Sequence, residues 1–118
     1  MGVYRELEAW KTARALTVRV YRLTAGFPQE ERFGLISQMR RCAVSVPSNI
    51  AEGYGRSTDK DRRHFLHIAR GSLYELETQV FLAVDLGFIS EEQCNEVLAE
   101  QNQCARLLQG LIRSLKTN

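Results

Sequence analysis

Asn49 and Glu52 stand three residues apart in the stretch SVPSNIAEGYGRST, residues 45–58, and Glu75 follows downstream. Three residues is close to one helical turn, so Asn49 and Glu52 fall on one face if the stretch is helical. Carboxylates such as Glu52 and Glu75, brought together inside a bundle, resemble the ligands of a di-iron site. That site requires Glu-x-x-His on two helices. The chain has two histidines, His64 and His67, and only Asp61 with His64 forms an acid-x-x-His pair. One such pair does not build a dinuclear centre, and the two histidines read as surface residues. No GxSxG, Walker-type loop or Cys/His nucleophile arrangement occurs. The GYG of residues 53–55 is too short to cradle a phosphate and follows no strand. These residues predict no catalytic group, no metal, no cofactor and no small-molecule substrate.

Cations offer a different chemistry. Arg40, Arg41, Arg56, Lys60, Arg62 and Arg63 lie around one predicted helix and the turn after it, with Tyr54 interleaved. Such groups neutralise backbone phosphates, and a tyrosine ring is a platform for base stacking. The competing reading is solvated charge tied up in intrachain pairs. Net charge is only +2, but it is unevenly spread. Residues 1–70 hold thirteen Lys/Arg and seven Asp/Glu, whereas residues 71–118 hold three and seven. Chance placement on solvated helix faces accounts for this; so does self-complementarity between copies, or a basic surface for phosphates.

Four helical segments must position these residues. The first runs from Val3 to Ala25, with Trp10, Ala13, Thr17, Val20 and Thr24 recurring at three and four. Gly26 suits a left-handed terminator and Pro28 blocks continuation. The second begins near Pro28-Gln29-Glu30-Glu31 and carries Ile36, Met39, Ala43, Val46 and Ile50 straight through Pro47. Pro47 has no N–H, so the Ala43 carbonyl loses its usual partner and a bend is predicted. Ser57 or Thr58 caps the third segment, whose stripe is Leu66, Ala69, Leu73, Leu76, Val80 and Ala83. Ser90 opens the fourth, with Gln93 completing a capping box and Val97, Gln101, Cys104, Leu108, Leu111 and Leu115 facing inward. Short connections then predict a single all-α domain over residues 1–118, an antiparallel up-down-up-down four-helix bundle with its second helix bent at Pro47.

Antiparallel pairing of helices two and three sets Glu52 against Arg62, Asn49 against Phe65, Ala43 near Gly71 and Arg40 near Glu75. Ser45, Asn49, Glu52, Ser72 and Glu75 thus form a structural polar patch. Gly71 permits close approach to Ala43, Ser72 bonds across the interface, and Arg40 or Arg41 neutralises Glu75. Tyr4, Trp10, Phe27, Phe33 and Phe88 are candidates for exposed apolar surface between subunits.

Hydrophobic residues make up 44% of the 118 and charged residues 25%, as in ordinary soluble domains. Cys42, Cys94 and Cys104 form no CxxC pair and read as small core residues in a reducing compartment. No 18-residue apolar run or signal-peptide pattern occurs, which predicts a cytoplasmic protein without a membrane partner. MGVYRE partly matches an N-myristoylation pattern, but Glu6 stands where Ser or Thr is favoured.

SQMRRCAVSVPSNIAEGYGR, FLHIARGSLYELETQ, LGFIS and AWKTARALTVRVYRLTAGFP together resemble the bacterial four-helix bundle proteins related to those encoded in 23S rRNA intervening sequences. The accessory variability protein of diversity-generating retroelements is similar. The resemblance implies the same bundle, a ring-like homo-oligomer, specifically a pentamer, and no established enzymatic activity. It also implies association with nucleic acid, since the retroelement cousins partner RNA and a reverse transcriptase. Arg40, Ser45, Pro47, Asn49, Glu52, Gly53, Arg56, Gly71, Ser72 and Glu75 carry the motif, in a structural role first. The expectation is a non-enzymatic oligomeric adaptor that contacts RNA or DNA backbones. Its alternative is a protein–protein assembly scaffold without nucleic-acid binding.

Overall fold

Short-range capping chemistry sets the helix boundaries. The computed structural model describes residues 3–115; Gly2, and with it the myristoylation pattern, lies outside them. Helices α1 (Glu8–Thr24), α2 (Leu35–Tyr54), α3 (Asp59–Asp85) and α4 (Glu91–Ser114) follow one another, with 3₁₀ turns at Val3–Glu6 and Gln29–Glu31. The Thr58 hydroxyl accepts from the Asp61 N–H at 3.1 Å to open α3. At α4, Ser90 Oγ accepts from Gln93 N and Gln93 Oε1 accepts from Ser90 N, the reciprocal capping box.

Three boundaries differ from the sequence expectation. The first helix begins at Glu8 and not at Val3, because Leu7 is extended and parts it from the 3₁₀ turn at Val3–Glu6. Gly26 does not take a left-handed backbone; among the described residues the positive-φ glycine is Gly87, at φ 78°. There the Phe88 N–H reaches the Ala83 carbonyl at 2.8 Å and the Gly87 N–H that of Val84 at 2.9 Å, a Schellman ending. At α1, tight turn bonds from Gly26 to Leu23 and from Phe27 to Thr24 close the helix instead. The second helix also starts later than Pro28. Gly34 leaves helical geometry, and the Glu31 carboxylate caps the new start by accepting from Leu35 N at 3.0 Å.

Each helix packs on its sequence neighbours, and α4 returns to α1, so α1 and α3 are diagonal and do not touch among the described residues. The bundle measures 45 × 24 × 24 Å. Leu16, Val20, Met39, Val46, Ile50, Leu66, Leu73, Leu76, Val80, Val97 and Leu108 fill its core. Burial at roughly 25 cal/mol per Å² of apolar surface is the dominant stabilisation of such a core. Phe27, expected outside, is inside at 6% exposure, tilted against Phe88 with ring centroids 5.2 Å apart. Tyr4, Trp10 and Phe88 are half-buried, Tyr4 lying edge-on to Trp10 at 5.4 Å. Phe33 alone of that expected set stands out, 87% exposed.

α2 keeps helical backbone through Pro47. The carbonyl that Pro47 leaves open is not orphaned. Thr17 Oγ on α1 lies 3.0 Å from the Ala43 oxygen and 2.8 Å from that of Ala13, its single proton shared between them.

Candidate nucleic-acid interface

The turn between α2 and α3 begins with a close approach. A Cβ placed on Gly53 would meet the Arg62 carbonyl oxygen at 3.1 Å and Phe65 Cβ at 3.2 Å. Glycine at 53 therefore lets α2 run against the first turns of α3. Gly71, expected in this role, is exposed, and a Cβ there would meet nothing within 4 Å. Ala43 and the proline region of α2 face α1 instead, as the Thr17 bond shows.

With the backbones drawn together, the arginines lie flat across the turn. The Arg56 guanidinium stacks over Phe65 at 4.7 Å and pairs with Glu52 at 2.6 Å. Arg62 stacks over Tyr54 at 5.5 Å, donates from Nε to the Arg56 carbonyl at 3.1 Å and lies 3.8 Å from Asp59. Burial pushes the Tyr54 hydroxyl above its ordinary pKa, Arg62 partly opposing and Asp59 adding to the shift. Lys60 is exposed. Arg63 is half-buried, with Nε and Nη2 out of water and without hydrogen-bond partners. Further along α3, desolvation, then Arg70, Arg63 and His64, hold His67 below its ordinary pKa. His64 and His67 are exposed, and among the described residues no three His, Cys, Asp or Glu side chains converge.

Of the seven predicted nucleic-acid residues, five meet here: Tyr54, Arg56, Lys60, Arg62 and Arg63. Arg40 and Arg41 are elsewhere. Fourteen helical residues separate Arg40 from Tyr54, about 21 Å at 1.5 Å each. Arg40 turns toward α1, donating to Thr24 Oγ at 2.9 Å and the Tyr21 carbonyl at 3.2 Å, with its guanidinium 4.6 Å from the Tyr21 ring centre. It does not pair with Glu75, which is exposed. α2 presents Arg40, Ala43 and Pro47 to α1, while Arg41 and Ser45 flank α3; that rotation is the reason.

The polar patch forms in reduced shape. Ser72 Oγ donates to Ser45 Oγ at 2.8 Å, and Asn49 Nδ2 donates to the Ser45 carbonyl and hydroxyl at 2.8 and 2.9 Å. Glu52 is not an internal strut facing Arg62; it points outward to Arg56, four residues on and just past the end of α2. The patch opens on a shallow groove of about 390 Å³ between α2 and α3, edged by Phe33, Arg41, Cys42, Glu75 and Gln79. Burial, then the Glu75 carboxylate, raise the Cys42 pKa, so the thiol stays protonated at neutral pH. Cys94 is raised by burial and Glu91, and Cys104 is pushed up to about 12, chiefly by burial. All three are free and buried.

The folded chain converts the uneven charge of the sequence into an end-to-end polarity. Among the described residues, the end built from the Val3–Glu6 turn, the start of α1, the end of α2 with the α2–α3 turn, the first half of α3 and the last half of α4 carries nine Arg/Lys against five Asp/Glu. The opposite end carries five against nine, with Arg14 between the two. A second cationic feature was not singled out from the sequence: a groove of about 520 Å³ along α1 lined by Lys11, Arg14, Val18, Arg19, Arg22 and Glu100. Its signal was present, since Lys11, Arg14, Val18 and Arg22 recur at three and four opposite the Ala9–Ala13–Leu16–Val20 stripe. Arg19 is tied to Glu100 at 2.6 Å and Glu96 at 3.9 Å.

Residues 5–110 match the 23S rRNA-intervening sequence protein family. The chain belongs to that family. A solved structure, of a protein of unknown function from the S23 ribosomal protein family of Bacteroides thetaiotaomicron, has a similar fold, with a TM-score of 0.79 at 21% identity. The likeness covers 88% of this chain and 97% of that one. No curated protein matches. The expected four-helix fold and family thus hold for this member, and among its described residues no helix is long and apolar enough to cross a membrane.

Proposed function

We propose that this chain is a non-enzymatic, cytoplasmic homo-oligomer, a pentamer on the family resemblance, whose basic end holds RNA or DNA by its backbone. It uses no cofactor, metal or small-molecule substrate and has no membrane partner. The supporting observation is the convergence at the α2–α3 turn of Tyr54, Arg56, Lys60, Arg62 and Arg63 on the end with excess positive charge. Guanidinium groups laid flat on rings keep outward N–H edges for phosphate oxygens, and contacts of this kind position without reading sequence. Glu52 and Asp59 beside them limit the affinity, and the phosphates neutralised set its dependence on salt.

Fluorescence anisotropy with a labelled single-stranded RNA of about 20 nucleotides tests the proposal. With three phosphates neutralised, the logarithm of the binding constant falls by about two per tenfold rise in salt. No binding to RNA or DNA at low salt would leave the second reading, a protein–protein scaffold. That reading rests on the exposed apolar residues of α3: Tyr74, Phe81, Leu82 and Leu86, at 59, 50, 46 and 58% exposure.

A further inference from the structure

The first half of α3 packs beside the last half of α4, and Arg70 Nη1 donates to Gln109 Oε1 across the seam at 2.9 Å. Residues 62–74 hold three arginines and two histidines, and residues 101–115 hold two arginines, with no Asp or Glu in either stretch. The five carboxylates of this end, Glu6, Glu8, Glu52, Asp59 and Asp61, stand on the Val3–Glu6 turn, the start of α1, the end of α2 and the first turn of α3.

Helical spacing gathers the cations. Leu66, Ala69 and Leu73 are the buried stripe of α3. At 3.6 residues per turn, Arg63, His67, Arg70 and Tyr74 fall together on the outer side that adjoins α4, as the bond to Gln109 shows. On α4, Arg106 and Arg113 are exposed and share one face. None of these four arginines makes an ion pair within 4 Å among the described residues. Arg63 carries Nε and Nη2 without acceptors. Besides desolvation, the neighbours that hold down the His67 pKa are Arg70, Arg63 and His64, with no carboxylate among them. Like charges held this close, unpaired, form a surface that attracts an anion.

We propose that this α3–α4 face binds nucleic acid in single-stranded form, with phosphates along Arg63, His67, Arg70 and Arg113 and an unpaired base stacked on Tyr74. This rests on the nucleic-acid part of the proposed function and names the kind of nucleic acid. Arg62 and Arg63 are adjacent, so the face continues from the α2–α3 turn. Eleven residues from Arg63 to Tyr74 give it a length of about 16 Å, enough for a few nucleotides. Gly71 lies exposed between His67 and Tyr74, and a Cβ there would meet nothing, so no side chain holds the strand off. Tyr74 selects the single strand. Its ring is 59% exposed and stacks only on a base whose face is free, whereas the bases of a duplex cover one another. An acidic protein segment would use the cations and leave the ring without a base.

Anisotropy with the labelled single-stranded RNA, and with the same strand annealed to its complement, provides the test. His67 and Tyr74 are exposed on α3 and Ala15 on α1, so substitutions there leave the core intact, and urea melts check the fold. His67→Glu is expected to weaken single-strand binding about tenfold. Ala15→Glu lowers the net charge equally, on the α1 face, and is expected to cost less than about twofold. Tyr74→Ala is expected to cost about fivefold or more on the single strand, the loss of one stacked base, and nothing on the duplex. Equal losses from His67→Glu and Ala15→Glu would overturn the inference, since net charge alone would then hold the strand. Duplex binding as tight as single-strand binding, or no effect of Tyr74→Ala, overturns it too. So does polyglutamate that displaces the RNA as readily as unlabelled RNA does. Each of these results leaves the α2–α3 turn as a site if Arg62→Gln still weakens binding. Wild-type protein that binds neither RNA nor DNA at low salt overturns the proposed function as well.

Discussion

Thr17 on α1 donates its hydroxyl to the carbonyl of Ala43 on α2, 3.0 Å away, the acceptor that Pro47 deprives of its helical partner. The cost of placing proline inside a helix is thereby met from a neighbouring helix. Thr17→Val keeps the shape and removes the donor, and is expected to cost about 1–2 kcal/mol in urea unfolding. In a Pro47→Ala background the cost is expected to shrink, because the N–H of residue 47 then takes the Ala43 carbonyl. A double-mutant cycle measures the coupling. Strictly additive costs would show that the two residues are not linked.

Gly53 and Gly110 both sit inside helices, but their surroundings differ. A methyl at 53 presses on backbone and Cβ atoms of α3, whereas one at 110 meets nothing within 4 Å. Gly110→Ala is expected to stabilise by about 0.5–1 kcal/mol through helix propensity alone. Gly53→Ala is expected to destabilise by about 1–3 kcal/mol, because α2 and α3 must separate at the turn. Thermal melts of the two variants should move in opposite directions.

What the sequence made legible was chemistry confined to a few residues or to one register. The Thr58 and Ser90 caps follow from side chains acting three positions away, and antiparallel pairing gave Ser72 a bond across the α2–α3 interface, though not its partner Ser45. What stayed hidden depends on rotation about helix axes. Arg40 and Arg41 are adjacent, and only the packed bundle decides that the first serves α1 and the second borders α3. Glu52 sits one turn from Asn49, yet its longer side chain reaches water and Arg56 where Asn49 folds back onto Ser45. Phe27 beside Pro28 has the look of an exposed turn residue, and its burial depends on Phe88, from the distant α3–α4 connection. Gly71 shows the same limit: its helical position was evident, but its outward direction was not.

Cys104 gives the stability a pH dependence. Its folded pKa is about 12, against an ordinary value of 9.0, with burial the leading cause. Between these values the folded chain holds a proton that the unfolded chain releases. The contribution is therefore complete below pH 9 and lost as pH rises toward 12, at up to about 1.4 kcal/mol per pH unit. Cys104→Ala removes this group, and the alkaline fall in its urea midpoint is expected to be shallower than that of the wild type. Parallel curves for the two proteins would assign the fall to other groups.

Arg62 and Arg40 separate binding from stability. Arg62 stacks on Tyr54 at the basic end, whereas Arg40 is anchored to Thr24 and the Tyr21 carbonyl about four helical turns away. Arg62→Gln is expected to weaken RNA binding about three- to tenfold and to reduce the salt slope by about 0.7, the loss of one phosphate contact on a single strand. Arg40→Gln is expected to leave the RNA isotherm unchanged. It should instead lower the unfolding free energy by about 1–2 kcal/mol, since it strips two hydrogen bonds joining α2 to α1. Anisotropy titrations and urea melts on the same two variants decide the matter. Equal loss of binding in both would show that overall charge holds the nucleic acid, and that the α2–α3 turn is no site.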